Sequence, residues 1–164
     1  MVLFPKGVRL PFEAVTLRFI SGGVWEDVVK DERNDWPESV VAEIVALSLS
    51  ERSALRGQDM GAHVRLARSG IRLAEQLYRS GSEGRAALER LMSHEEPIVR
   101  LLAATWVLEF NPQIAVPVLE HLVLWSRQMP EKKGNFDVMI IGNQAEAALE
   151  DRRSADADGS SRLE

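Results

Sequence analysis

The segment from Ile98 to Phe110 constrains the fold of this chain more than any other part of the sequence. Wound as a helix, it is apolar on every side except at Arg100, Thr105 and Glu109. A helix that is hydrophobic around its whole circumference has to be buried, because a surface helix keeps one polar face for water. The sequence therefore predicts a central helix that other helices surround.

The start of this helix is marked by Pro97, which suits a first turn because its missing N–H costs no hydrogen bond there. Glu95 and Glu96 place negative charge at the positive end of the helix dipole. Arg100 lies on the otherwise apolar helix, so its burial would require a charged or carbonyl partner. We interpret Arg100 as a structural residue that ties the turn together, rather than as a ligand-binding one.

Apolar residues recur at helical spacing before and after the central helix, which predicts an all-α fold. Pro37 suits the first turn of the first helix, and Pro117 should bend a later one or delay its start. The tail after Glu150 has no apolar period and is predicted to be mobile. The predicted helices cover Val41 to Leu49 and onward to Gly57, Met60 to Ser80, Ser82 (as N-cap) to Met92, Ile98 to Phe110, Ile114 to Trp125, and Asp137 to Leu149.

Residues 1–36 fit both kinds of secondary structure. Val15, Leu17 and Phe19 alternate like a strand, while Phe12, Val15 and Phe19 suit a helix equally well. We interpret this stretch as an extension that packs on the main body, with Trp25 and Trp36 as packing anchors. The predicted organisation is therefore an extension (1–36), a helical domain (37–150) and a mobile tail (151–164).

The helix from Met60 to Ser80 is amphipathic. At about 100° per residue, one seam is predicted to face the core, and polar residues fill the opposite half of the circumference. The predicted seam consists of Val64, Ala67, Ile71, Ala74 and Tyr78, extended by Leu66, Leu73 and Leu77. The polar half includes four arginines at spacings of three, four and seven, which is one helical face: Arg65, Arg68, Arg72 and Arg79.

Composition excludes several classes of chemistry. The 164 residues contain no cysteine, which excludes disulfides, thiolate nucleophiles and cysteine-ligated metal clusters and fits a reducing cytoplasm. The net charge of -5 disfavours long-range attraction to nucleic acid or to an anionic membrane. No apolar run approaches the roughly 20 residues of a membrane-spanning helix. We therefore expect a soluble, cytoplasmic protein.

No catalytic or cofactor motif is visible. The spacing of His63, His94 and His121 matches no zinc motif, and we predict structural or surface roles for all three. The paired carboxylates Glu95-Glu96 and Asp31-Glu32 are neighbours in sequence, which seldom aim at one substrate. Glycine-rich phosphate loops and nucleophile elbows are absent. The sequence predicts neither an enzyme nor a bound cofactor or metal.

Residues 88–108 resemble a HEAT repeat. Leu88, Leu91, an acidic turn ending in Pro97 and the central-helix residues Val99, Arg100, Ala103, Ala104 and Leu108 carry the resemblance, with Trp106 on the same helix as a predicted core residue. In such a hairpin the small alanines let two helices approach closely. Only one clear repeat is visible, whereas solenoids need about three. The resemblance therefore implies HEAT-like hairpins closed into a compact bundle.

A narrower resemblance covers about residues 41–149 and is strongest over 84–122. This part is similar to an uncharacterised bacterial family, domain of unknown function 2019, whose pattern here is Gly-Arg-x-Ala-Leu, His-Glu-x-Pro, Val-Arg-Leu, Ala-Ala, Asn-Pro and Val-Leu-Glu. That family implies a HEAT-like helical fold and no established activity.

The expected function is binding of another protein, with an immunity or adaptor role suggested by analogy alone. The arginine residues at 65, 68, 72 and 79 are the candidate contact face, either for an acidic protein or for a phosphate backbone. The competing interpretation is a solvated face satisfied by Glu75 and other acidic neighbours. Nucleic-acid binding is the alternative function, and a second copy of the chain is a further candidate partner.

Overall fold

The computed structural model describes residues 36–129 and 135–160, with side chains up to residue 157. These residues form six α-helices and no strand, which confirms the predicted all-α bundle. The helices are α1 (Glu38–Arg56), α2 (Met60–Arg79), α3 (Ser82–Leu91), α4 (Pro97–Val107), α5 (Pro112–Gln128) and α6 (Phe136–Ser160). Of the predicted extension only Trp36 is described, half-buried against the core; the remainder of that prediction, including Trp25 and Asp31-Glu32, lies outside the described residues.

The central position predicted for α4 is confirmed. This helix packs against all five other described helices, and α1 also packs against α6, so the bundle closes on itself. Pro97 stands in the first turn as predicted. The residues that α4 buries are Pro97, Ile98, Val99, Leu101, Ala103, Ala104 and Val107, with the C-cap Leu108 buried as well.

Trp106 differs from its predicted position in the core, because its side chain is only half-buried. The ring lies at the rim of the core, 5.6 Å from the ring of Tyr78, which in turn lies 5.8 Å from Phe110. The guanidinium of Arg85 lies over both Tyr78 and Phe110, at 4.9 and 5.3 Å from their ring centroids. A cation over aromatic faces is a favourable contact at the water boundary, and it explains why this aromatic cluster is not sealed inside.

The turn between α2 and α3 depends on two glycines. Gly81 has a φ of 95°, a left-handed backbone that glycine adopts without strain, and it takes the N-cap position that was predicted for Ser82. Gly84 is buried where the first turn of α3 meets the end of α2. A Cβ at this position would overlap the backbone carbonyl of Leu77. The close approach of α2 and α3 therefore requires glycine at 84.

The later helices differ from two of the expectations. Of the two effects predicted for Pro117, a bend or a delayed start, the delay does not occur, because α5 begins at Pro112 and continues through Pro117. The segment after Glu150, predicted as a tail without apolar period, is helical, because α6 continues to Ser160. Helical pairs support this end: Arg152 lies 2.9 Å from Asp156, and the Ser154 hydroxyl donates to a backbone carbonyl one turn earlier. Only residues 161–164 of the predicted mobile tail lie outside the described part.

Candidate interaction surface

The orientation of α2 differs from the predicted one. The helix begins at an aspartate cap, in which Oδ1 of Asp59 accepts a hydrogen bond from the N–H of Ala62 at 2.9 Å. Its buried residues are His63, Gly70, Ala74 and Leu77. Of the predicted seam and its extension, Ala74 and Leu77 are fully buried, whereas Val64 and Ile71 are each 41% exposed. The buried face therefore lies towards the Leu77 side of the predicted apolar arc, about 70° around the helix from the middle of the Val64–Tyr78 seam, where one residue step is 100°.

Tertiary partners explain this rotation. Side chains of other helices lie opposite the two inward positions that the sequence did not predict: Glu51 of α1 opposite His63, and Leu102 of α4 opposite Gly70. A Cβ at Gly70 would lie 3.4 Å from Cδ2 of Leu102, so α4 leaves room for one methyl group there. Val64 and Ile71 lie outside these contacts and are exposed.

The four candidate arginines remain on the exposed side after the rotation, as predicted. Arg79 pairs with Glu75 one turn earlier, at 2.5 Å between Nη2 and Oε1. Arg65, Arg68 and Arg72 make no ion pair or side-chain hydrogen bond with any described residue. We call these three residues the arginine face. Elsewhere in the described helices, most arginines do pair with a carboxylate: Arg52, Arg56, Arg90, Arg127 and Arg152.

An exposed apolar row runs beside the arginine face. Met60, Val64 and Ile71 are 44%, 41% and 41% exposed, and their spacing of four and seven residues places them on one line along α2. We call them the apolar stripe. Sequence reasoning assigned Val64 and Ile71 to the core and did not single out Met60, so this stripe was missed as a surface feature.

A buried polar pair lies between α1 and α2 on the other side of the helix. Nδ1 of His63 lies 3.1 Å from Oε1 of Glu51, yet the two groups are not aligned for a hydrogen bond. Burial raises the pKa of Glu51 to about 7 and lowers the pKa of His63. Both side chains are nearly enclosed, so burial disfavours the charged form of each residue.

Glu51→Gln is expected to change how stability depends on pH. The pKa of Glu51 in the folded state lies above the unfolded value of 4.5. The contribution of Glu51 to the free energy of unfolding is therefore full below pH 4.5, and it is lost as pH rises through 7. The difference between the unfolded pKa of 4.5 and the folded pKa of about 7 corresponds to roughly 3 kcal/mol of stability, and residual solvent contact reduces this amount. In urea unfolding, the variant should therefore gain about 1–2 kcal/mol relative to wild type between pH 5 and pH 8.

Two controls separate Glu51 from its neighbour. The exposed carboxylate Glu43 is on the same helix, and Glu43→Gln should show no such gain. His63 has a lowered folded pKa, so its contribution is present above 6.5 and is lost as pH falls. The Glu51→Gln variant should therefore still lose stability as pH falls below 6.5, because His63 is unchanged in it. A difference from wild type that stays constant from pH 5 to pH 8 contradicts the prediction.

The turn before α4 is held by residues other than the predicted one. Nδ1 of His94 accepts a hydrogen bond from the N–H of Glu96 at 3.1 Å, and the Glu96 carboxylate pairs with Arg52 of α1. Arg100 is half-buried, its Nε is buried without a hydrogen-bond partner, and no side-chain bond to the turn is found among the described residues. The predicted tie between Arg100 and the turn is therefore wrong, and Arg52 performs that role.

Arg52 belongs to a larger network that the sequence did not predict. Its Nε donates to Oδ2 of Asp137 in the first turn of α6, at 2.8 Å, and Nε of Arg56 donates to the same oxygen at 3.0 Å. The network thus joins α1, the start of α4 and the start of α6. Asp137 is 2% exposed.

Other features of the described residues offer less to a ligand. A shallow groove between α5 and α6 is lined by Val123, Leu124 and Leu149, with charged residues at its edge (Glu120, Glu146 and Arg153). His121 is exposed, as predicted. Within residues 36–129 and 135–157, no three histidine, aspartate or glutamate side chains are grouped to hold a metal ion. No helix in this part is long and apolar enough to cross a bilayer.

The chain has no recognisable relative in the comparisons. No family model matches it, and no curated protein or solved structure matches it either. The resemblance of residues 88–108 to a HEAT repeat, and of about residues 41–149 to domain of unknown function 2019, therefore stays a prediction from the motifs.

Proposed function

We propose that this chain is a non-enzymatic protein–protein interaction module, and that the arginine face of α2 binds an acidic partner protein. The observation that carries the proposal is the unpaired state of Arg65, Arg68 and Arg72 among the described residues, where most of the other described arginines have carboxylate partners. Arginine is enriched at protein interfaces, because its planar guanidinium binds carboxylates through two parallel hydrogen bonds.

The apolar stripe favours a protein over a nucleic acid as this partner. A phosphate backbone would use the arginines alone, whereas a protein interface has an apolar centre next to its charged rim. Nucleic-acid binding is the alternative function, supported by the match between guanidinium groups and phosphate.

The proposal includes the finer predictions from the sequence. The hairpin of α3 and α4 carries the HEAT-like motif, and the interaction role fits a cytoplasmic adaptor or immunity protein. The absence of cysteine is the support for a reducing compartment. A second copy of the chain is not the favoured partner at this face, because a symmetric contact between two α2 helices would bring arginines against arginines.

The test reverses the charge of the arginine face. The triple variant Arg65→Glu, Arg68→Glu and Arg72→Glu should stay folded, because each side chain is exposed and such substitutions usually change stability by less than about 0.5 kcal/mol. Affinity capture from the native cytoplasm, read by mass spectrometry, should lose the proteins that wild type retains. Attraction becomes repulsion at three points at once.

A matched control has the same net charge but leaves α2 unchanged. Arg90, Arg127 and Arg153 are exposed on α3, α5 and α6. Their reversal to glutamate should preserve capture, since substitutions of exposed side chains usually change stability by less than about 0.5 kcal/mol each. If the arginine-face variant folds and still captures every wild-type partner, the face is only solvated and the proposal is wrong. A steep salt dependence with capture of nucleic acid would instead favour the alternative function.

A further inference from the structure

We infer that the partner element is an acidic amphipathic helix that lies along Met60–Arg72 of α2. Its apolar side chains would cover the apolar stripe, and its carboxylates would meet the arginine face. This inference rests on the proposed function and specifies the chemistry and the shape of the partner.

The first step is the shape of the apolar stripe. Met60, Val64 and Ile71 form a line of about 16 Å, eleven residues at 1.5 Å each. The line lies on a convex helix and offers no free backbone groups to an extended strand. A partner that follows it has to satisfy its own backbone hydrogen bonds, and an amphipathic helix with anchors every three or four residues does so.

The second step is the placement of charge. By the 100° step, Arg68 lies about 40° from Val64 around the helix, and Arg65 and Arg72 lie about 100° from their apolar neighbours, all on one side. The other side of the stripe faces α4, where Leu102 packs near Gly70. The positive rim is therefore one-sided. A matching helix carries its carboxylates along one edge of its apolar seam.

The third step sets the length of the contact. Glu75 already neutralises Arg79 and would repel a carboxylate of the partner, so the footprint ends before the last turn of α2. The remaining span from Met60 to Arg72 corresponds to about three and a half turns. A partner helix of about 12–14 residues fits this length.

Two exposed leucines on other helices lack this combination. Leu49 is the one large apolar side chain exposed on α1, and Leu124 has Glu120 and Glu146 beside it in the groove between α5 and α6. An acidic helix would be repelled at the second of these places. Within the described residues, the stripe on α2 thus joins solvent-exposed apolar area to unpaired positive charge.

The probe is a designed helical peptide of about 14 residues, with leucines at helical spacing and glutamates along one edge. Fluorescence anisotropy with the full chain should show saturable binding. Peptides with lysine for glutamate, or serine for leucine, should bind at least about tenfold more weakly. Amide chemical shifts should change within residues 60–72 and not on α5 or α6.

Protein variants supply the decisive comparison. The double variant Val64→Ser with Ile71→Ser should bind the acidic peptide about tenfold more weakly than wild type. The charge reversal of the arginine face should weaken this binding by at least as much. The matched controls Leu49→Ser and Leu124→Ser also replace exposed apolar side chains, and they should leave the affinity for the peptide unchanged. Circular dichroism confirms that each variant is folded.

The outcomes separate this inference from the proposed function. If the arginine-face variant loses its cellular partners while the Val64/Ile71 variant keeps them, the interaction function stands and the amphipathic helix is wrong. If the arginine-face variant keeps its partners, the proposed function fails first. If the acidic peptide does not bind, or if duplex DNA competes for the face with a steep salt dependence, the inference is overturned.

Discussion

Gly84→Ala is expected to destabilise the fold by about 3 kcal/mol, although alanine usually stabilises a helix by up to about 1 kcal/mol relative to glycine. The added Cβ would lie 2.8 Å from the carbonyl carbon of Leu77 and closer still to its oxygen and to the hydroxyl of Ser80. The carbonyl belongs to the backbone, so a rotamer change cannot relieve the overlap. The helices α2 and α3 would have to separate, which opens the core at Leu77 and Leu88.

The matched control is Gly70→Ala. Gly70 is also buried, but a Cβ there would meet only Cδ2 of Leu102, at 3.4 Å. This variant should be neutral or more stable by up to about 1 kcal/mol, since it gains helix propensity without overlap. Urea unfolding followed by circular dichroism measures both. Equal stability of wild type and Gly84→Ala would show that α2 and α3 are not packed as closely as described.

The overall fold could be predicted because hydrophobic periodicity is a local signal. An all-apolar segment such as Ile98–Phe110 has one stable environment, the interior of a helical bundle. The extent of α6 could not be predicted this way, because residues after Glu150 have no apolar period. Helical pairs such as Arg152–Asp156 support that end, and their contribution depends on whether the helix has already formed.

The rotation of α2 shows where local periodicity fails. In sequence, Val64 and Ile71 look more apolar than His63 and Gly70, so the predicted seam passed through them. Burial of His63 depends on Glu51 from another helix, and burial of Gly70 depends on how closely α4 approaches. The predicted exposure of the arginine face holds despite this error, because its residues lie in a wide polar arc. The apolar stripe was missed because one helix alone does not show which of its apolar residues a neighbour covers.

The prediction for the turn before α4 failed for a related reason. Arg100 was assigned to it because it is near in sequence, whereas Arg52 reaches Glu96 across 44 positions and Asp137 across 85. No short-range pattern indicates such a pair. The network is therefore a property of the folded bundle alone.

Asp137→Ala is expected to destabilise the fold by about 2–3 kcal/mol, because it removes the charged hydrogen bonds from Arg52 and Arg56 and leaves Arg52 with Glu96 as its one carboxylate partner among the described residues. The side chains of Asp137 and Arg52 are 3% and 15% exposed, so water replaces the lost carboxylate poorly. Burial alone would raise the pKa of Asp137, but hydrogen bonds from Arg52 and Arg56, with their charges, outweigh it and hold the pKa below 3.8. The ionised carboxylate is thus stabilised more in the folded state than in the unfolded one.

This depressed pKa gives the prediction a pH signature. A group with a lowered folded pKa contributes stability above its unfolded pKa, and that contribution is lost as pH falls through the folded value. The difference between wild type and Asp137→Ala should therefore be full at pH 6 and shrink below about pH 3.8. Urea unfolding at several pH values measures it.

A double variant that removes both Asp137 and Arg52 tests whether the loss of stability comes from the charge of Arg52 that Asp137→Ala leaves without this carboxylate. Asp137→Leu with Arg52→Met replaces the pair by apolar side chains and should lose less stability than Asp137→Ala alone. Neither charge of the buried pair then remains, and the two former partners, Glu96 (28% exposed) and Arg56 (57% exposed), can turn to water. The exposed pair of Arg127 and Glu146 is the control, and Glu146→Ala should cost less than about 1 kcal/mol. A cost for Asp137→Ala as small as that of Glu146→Ala would mean that the network is no stronger than a surface ion pair, and α1, α4 and α6 would then be held together by their apolar contacts alone.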